Sequence, residues 1–143
     1  MKKNISIGSD HAGYELKTKI KEYLINSGYT VIDKGAQSCE CVDYPDYAHL
    51  VTLDVVENKA DCGILVCGSG IGMSIAANKR KGIRAALCTS LYHAKSTRLH
   101  NDANVLALGS RFTHEEDALA IVETFLATQY EGGRHQNRID KIE

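Results

Sequence analysis

The sequence predicts an α/β protein. The expected form is a three-layer α/β/α sandwich, Rossmann-like, around a five-stranded parallel sheet. Three observations carry this. Short apolar runs alternate with helix-period stretches along the chain, the pattern of a parallel sheet covered by helices. The apolar runs, such as Ile64-Leu65-Val66, are continuous rather than alternating, which suits strands buried on both faces. Polar or glycine-rich loops follow the first, third and fifth strands, where such sheets bind ligands. At 143 residues the chain fits one domain, 1–143.

Asn4 to Gly8 reads as the first strand, with Ile5 and Ile7 its apolar residues. Asp10-His11-Ala12-Gly13 follows as a loop, in which Ser9 or Asp10 is expected to cap the next helix. That helix runs from about Tyr14 to Asn26. Its stripe is Leu16, Ile20 and Leu24, and Lys17, Lys19 and Lys21 are expected mainly off it. Gly28 stops it, and Tyr29 to Ile32 forms the second strand, completing a βαβ unit.

Lys34 to Tyr44 is a polar loop, and Pro45 precedes a helix from about Asp46 to Glu57, with Tyr47, Val51 and Val55 inward. Gly63 to Cys67 is the third strand, and Ile71 to Lys79 the next helix. Gly82 to Leu87 reads as the fourth strand, Ser90 to Leu99 as a helix, and Asn104 to Leu108 as the fifth strand. The last long helix starts at Thr113 or His114, with Ala118, Ile121, Val122 and Phe125 at i, i+3, i+4, i+7. In the tail, about 131–143, Arg134, Arg138 and Lys141 share one helical face if that segment is helical.

Composition narrows the function. The formal charge is −1, and no long basic block is present. Neither nucleic acid nor an anionic membrane is an expected partner. No apolar stretch approaches 18 residues, and the N-terminal segment turns polar by Ser9, too early for a signal peptide. A cytoplasmic location is expected. The five cysteines, Cys39, Cys41, Cys62, Cys67 and Cys88, are then expected as reduced thiols. A lone Cys39-x-Cys41 pair is too little for a zinc site, so no metal is expected.

The chemistry centres on Cys67-Gly68-Ser69-Gly70-Ile71-Gly72. Glycines let the backbone turn and approach a ligand closely. The helix start behind them favours negative charge. The loop is neither a dinucleotide fingerprint, since Met73 stands at the third glycine position, nor a P-loop, since no Gly-Lys-Ser/Thr triplet occurs. It is an anion cradle with a thiol at its mouth, or else a plain strand-to-helix turn. The sequence further places Ser69, His11, His100, Asp10 and Arg111 at the same sheet edge. A base, a carbonyl and waiting N–H donors suit proton abstraction beside that carbonyl. Arg134 and Arg138 suit phosphate oxygens. Cys67 as a buried apolar residue, and His11 and His100 as loop and helix-end groups, are the structural alternatives.

The segments SDHAGYELK, VIDKGA, DYPDYA, CGSGIGMSIAANK, GIRAAL, RLHNDANVLALGSR and YEGGRHQNRI occur in this order along nearly the whole chain. Together they closely resemble the sugar-phosphate isomerase family of ribose-5-phosphate isomerase B and the galactose-6-phosphate isomerase subunits. The resemblance implies interconversion of D-ribose 5-phosphate and D-ribulose 5-phosphate in the non-oxidative pentose phosphate pathway, without metal or other cofactor. It implies a homodimer or dimer of dimers, with sites at the subunit interface and the tail reaching a neighbour. By position, Cys67 matches the catalytic base, and the chain resembles the thiol branch because Met73 replaces the glutamate that serves some relatives. Ser69 matches a proton relay, and the backbone of Gly68, Ser69, Gly70, Ile71 and Gly72 matches the hole for the enediolate. His100 matches the ring-opening acid–base group, with Asp10, His11 and Asn101 around the sugar. Arg111, Arg134 and Arg138 match the phosphate ligands, and His135 is a weaker candidate. A six-carbon phosphosugar isomerase, a non-catalytic sugar-phosphate binder and a thiol-nucleophile enzyme are the rival readings.

Overall fold

The computed structural model describes residues 2–142. In chain order the elements are β1 (Asn4–Ser9), α1 (Tyr14–Asn26), β2 (Thr30–Asp33), α2 (Tyr44–Val56), β3 (Cys62–Cys67), α3 (Ile71–Asn78), β4 (Ala85–Leu87), α4 (Leu91–Asn101), β5 (Val105–Gly109), α5 (Glu115–Ala127) and α6 (His135–Ile139). The five strands form one parallel sheet in the order β2-β1-β3-β5-β4. The α/β/α sandwich read from the sequence is the fold observed.

Alternate residues of the central strands feed two separate cores. Ile5, Ile7, Ile64, Val66, Leu106 and Leu108 meet α1, α4 and α5 on one face. Leu65, Cys67, Val105 and Ala107 meet α2 and α3 on the other. Both faces are covered, so the strands need no polar alternation, and all six residues of β3 are buried.

Strand order creates the crevice. After β1 the chain turns to α1 on the first face, and after β3 it turns to α3 on the second. Adjacent parallel strands with diverging connections leave a cleft at their carboxyl ends. β5 lies beside β3, with Cys67 in register with Gly109. The loops after β1, β3 and β5 therefore share one edge, as the sequence predicts.

Several local expectations are corrected. Gly13, not Ser9 or Asp10, caps α1, although the Asp10 carboxylate accepts the Gly13 N–H at 3.0 Å. α2 begins at Tyr44, because Pro45 tolerates the first turn, where its missing N–H costs nothing. β4 spans only Ala85–Leu87, since the Arg84 N–H bonds the Asn104 side chain (2.8 Å) instead of a neighbouring strand. α6 spans only His135–Ile139, so Lys141 does not continue a helical face with Arg134 and Arg138.

Lys17 is the largest departure. It is 1% exposed rather than off the stripe. Its Nζ lies 2.9 Å from Asp33 Oδ1 at the end of β2 and also donates to the Ala36 carbonyl. A buried ammonium persists only when paired and hydrogen-bonded, and the chain meets that condition with groups 16 and 19 residues away. Among the described residues, no helix is long and apolar enough to cross a membrane.

Candidate active site

The carboxyl ends of β1, β3 and β5 form a knot of backbone bonds. The Asp10 N–H donates to the Val66 carbonyl (3.3 Å), Ser110 N–H to Cys67 O (2.8 Å) and Arg111 N–H to Gly68 O (2.9 Å). The Ser110 hydroxyl reaches back to Ala12 O at 2.8 Å. Gly109 is required here, because a Cβ would run into the Ser69 backbone.

Cys67 ends β3 at the base of this crevice, 5% exposed. The Gly70 N–H donates to its sulfur at 3.2 Å. Gly70 takes the left-handed conformation (φ 78°) that aims this N–H backwards, and it is also the N-cap of α3. Ser69 is half-buried, and its hydroxyl accepts the Ile71 N–H at 3.2 Å. The first-turn amides of α3 have no preceding turn to bond. The result is a thiol beside a set of N–H donors, an arrangement that favours negative charge on a ligand atom.

Arg111 is exposed but lies across the loop. A Cβ on Gly68 would come within 2.8 Å of its Nη1. His11 accepts the Val42 N–H at Nδ1 (3.2 Å). A neutral imidazole accepting there carries its proton at Nε2, ready to donate. Met73 is fully buried in the second core.

His100 does not join this group within one chain. α4 runs from the carboxyl end of β4 to the start of β5, so His100 and Asn101, in its last turn, sit at the opposite, amino-terminal edge. The placement of His100 beside Cys67 is corrected on that ground: in a parallel sheet a crossover helix ends where the next strand begins. Arg134 and Arg138 lie with His100, because α6 packs on α4 and the Glu131 N–H donates to Leu99 O at 3.1 Å.

Around His100 the tail builds a second cluster. The rings of His100 and His135 stack, with centroids 4.6 Å apart and planes at 23°. The Glu131 carboxylate stands 4.0 Å from His100 Nε2 and 3.8 Å from His135 Nε2. His135 is 5% exposed, and its Nε2 has no hydrogen-bond partner. Burial, then the Arg134 and His100 charges, pushes the His135 pKa down. Glu131 is missed by sequence reasoning, as are Val42, whose N–H fixes His11, and Tyr44, whose ring abuts Gly72. The only sequence signal for Glu131 was its place in the YEGGRH segment.

The candidate residues thus fall into two candidate half-sites. The carboxyl edge holds Asp10, His11, Cys67, the loop from Gly68 to Gly72, and Arg111. The amino edge holds His100, Asn101, Arg134, His135 and Arg138.

The model of the Ribose/Galactose Isomerase family matches residues 5–142. The chain belongs to this family. Across 140 residues it is 52% identical to ribose-5-phosphate isomerase B of Escherichia coli K12, covering 98% of this chain and 94% of that protein. A solved ribose 5-phosphate isomerase from Thermotoga maritima superposes with a TM-score of 0.97 at 54% identity, covering 98% of this chain and 97% of that one. Ribose-5-phosphate isomerase B from Mycoplasma genitalium, solved with bound ribulose-5-phosphate, gives a TM-score of 0.93 at 48% identity, covering 97% and 93%. Membership accounts for the seven ordered segments, and the family fold is the sandwich described above. For this isomerase-family chain, the thiol and glycine loop stand where the sheet's crevice opens.

Proposed function

We propose that the chain is a cytoplasmic aldose–ketose isomerase that interconverts D-ribose 5-phosphate and D-ribulose 5-phosphate through an enediolate. The single observation that carries the reading is the Cys67 thiol held against the Gly70 N–H at the mouth of an anion-favouring loop.

In this reading the Cys67 thiolate takes the proton from the second carbon of the open-chain aldose. The freed electron pair forms the double bond to the first carbon, whose oxygen becomes the oxyanion. The N–H groups of the loop from Gly68 to Gly72 hold that charge. Ser69 passes the hydroxyl proton between the two sugar oxygens. Cys67 then returns its proton to the first carbon, giving the ketose. Protons balance without a redox cofactor. Each well-aimed oxyanion donor contributes ~10²–10³ in rate, and the positioned base ~10²–10⁴.

The two half-sites lie on opposite edges, so a complete site requires a second copy of the chain. In the homodimer, or a dimer of dimers, His100 of one chain meets the Cys67 loop of the other and opens the furanose ring. Asp10, His11 and Asn101 surround the sugar, and Arg111, Arg134 and Arg138 hold the phosphate, the last two from the 131–143 arm acting in trans. Exposed Ile71 and Ile75 on α3, beside the loop, support burial of this region against a partner.

The test is turnover of ribose 5-phosphate with a metal chelator present, following ribulose 5-phosphate, in the wild-type protein and in Cys67→Ala. Rapid turnover lost in the variant supports the reading. Faster turnover of allose or galactose 6-phosphate overturns the substrate, and phosphosugar binding without turnover overturns the enzyme.

A further inference from the structure

We propose that His100, Glu131 and His135 form a binding site for a divalent transition-metal ion, with Zn²⁺ the best fit. One ligand atom from each residue lies within 4.8 Å of the others. Two imidazoles and a carboxylate are a donor set suited to zinc, with a fourth position left for water.

The decisive atom is His135 Nε2. It is buried, its residue is 5% exposed, and it has no hydrogen-bond partner. Nearly all buried polar atoms have one, so an exception asks for a ligand. This nitrogen faces the Glu131 carboxylate across 3.8 Å, too long for a hydrogen bond. Two donor atoms on a tetrahedral zinc ion stand roughly 3.3–3.5 Å apart, given metal–ligand bonds of about 2.0–2.2 Å. The Glu131–His135 distance, 3.8 Å, therefore closes onto an ion with a shift of about 0.4 Å on that geometry, whereas His100, 4.0 Å from Glu131, needs a ring rotation as well.

His100 must turn out of its stack to ligate, because stacked rings hold their lone pairs side by side rather than convergent. In the single chain its exposure leaves it room to do so. Arg134 and Arg138 oppose a cation, Arg134 from 4.0 Å beside the Glu131 carboxylate, but both are exposed and screened by water.

The consequence for activity rests on the proposed function: an ion on His100 Nε2 withdraws the ring-opening imidazole, so Zn²⁺ inhibits. The test uses full-length protein carrying Cys39→Ser and Cys41→Ser, which removes the two exposed thiols that would also take zinc. Zn²⁺ is titrated by calorimetry, and Co²⁺ by its visible absorption, into this protein and into Glu131→Gln and His135→Gln made in it. Glu131 is half-exposed, so its variant tests the site even if the buried His135 change impairs folding. The expected result is about one ion per chain, with affinity weakened at least about tenfold in each variant. No binding, or affinity unchanged in Glu131→Gln, overturns the site. Ribose 5-phosphate turnover read at the same Zn²⁺ concentrations separates the two claims. Binding that Glu131→Gln weakens, with turnover undiminished, upholds the metal site and overturns the ring-opening role of His100.

Discussion

The Gly70 amide donates to the Cys67 sulfur across 3.2 Å, closing a tight loop between the end of β3 and the start of α3. This geometry depends on φ 78° at Gly70 and on a close approach to β5. A Cβ there would lie 2.8 Å from the Leu108 carbonyl carbon and 2.5 Å from Leu87 Cδ1. Gly70→Ala is expected to destabilise the fold by about 1–2 kcal/mol from the left-handed backbone alone, more with the contacts. Alanine keeps the amide, so kcat is expected to fall only because the shifted loop re-aims this N–H away from the Cys67 sulfur. Urea unfolding and steady-state kinetics read the two effects separately.

Cys67→Ala is expected to lower kcat by at least ~10²–10⁴, the contribution of a positioned base, while affinity for a non-isomerisable sugar phosphate stays near wild type. Calorimetry of the variant checks the second half. Near-normal turnover would remove Cys67 as the base.

His100→Asn is expected to slow cyclic ribose 5-phosphate far more than an acyclic substrate analogue, because only the cyclic form needs its ring opened. Equal slowing of both would remove that role. Mixing inactive Cys67→Ala with inactive His100→Asn protein is expected to restore activity, since the half-sites lie on opposite edges of each chain. If subunits exchange but no activity returns, the shared site fails.

The buried Lys17–Asp33 pair is expected to govern acid stability. Burial pushes the Asp33 pKa up, but the Lys17 hydrogen bond, the Gly35 N–H and Lys21 outweigh it, and the net direction is down. A lowered carboxyl contributes stability that is present above the unfolded value near 3.9 and lost as pH falls through the folded value. Lys17→Met is expected to cost about 3–5 kcal/mol, the penalty for stranding one partner of a buried pair, reduced by what Lys21 retains. It is also expected to flatten the loss of stability below about pH 4. Urea midpoints at pH 7 and across pH 3–5, on the scale of that carboxyl titration, measure both.

Thiol reactivity is expected to sort by burial. Cys39 and Cys41 are exposed and alkylate first. Cys62 and Cys88 have their pKa pushed up to about 12 by burial and stay unmodified in the native protein. Alkylation of Cys67 is expected to coincide with loss of turnover and to slow when ribose 5-phosphate is present. Peptide mass mapping against residual activity tests all three.

Much of this was legible from local pattern. The run Ile64 to Val66 followed by glycines at 68, 70 and 72 specifies strand, tight loop and helix start, because each depends only on backbone freedom and near neighbours. Parallel strands then put the loops after β1, β3 and β5 on one edge whatever their order. The burial of Lys17 was not legible. Its helix position reads as solvent-facing, and only the carboxylate of Asp33 and the carbonyl of Ala36, brought up by β2 and its following loop, make the site habitable. Nor did the residues show that β5 inserts between β3 and β4, seating Gly109 against Ser69. The same holds for His100, which lies in the last turn of a crossover helix and so at the opposite end of the strands from the thiol. Periodicity encodes which faces are buried, a local property of the chain. Which buried surfaces meet is settled by packing between segments far apart in sequence, and that divided the candidate catalytic groups between two edges.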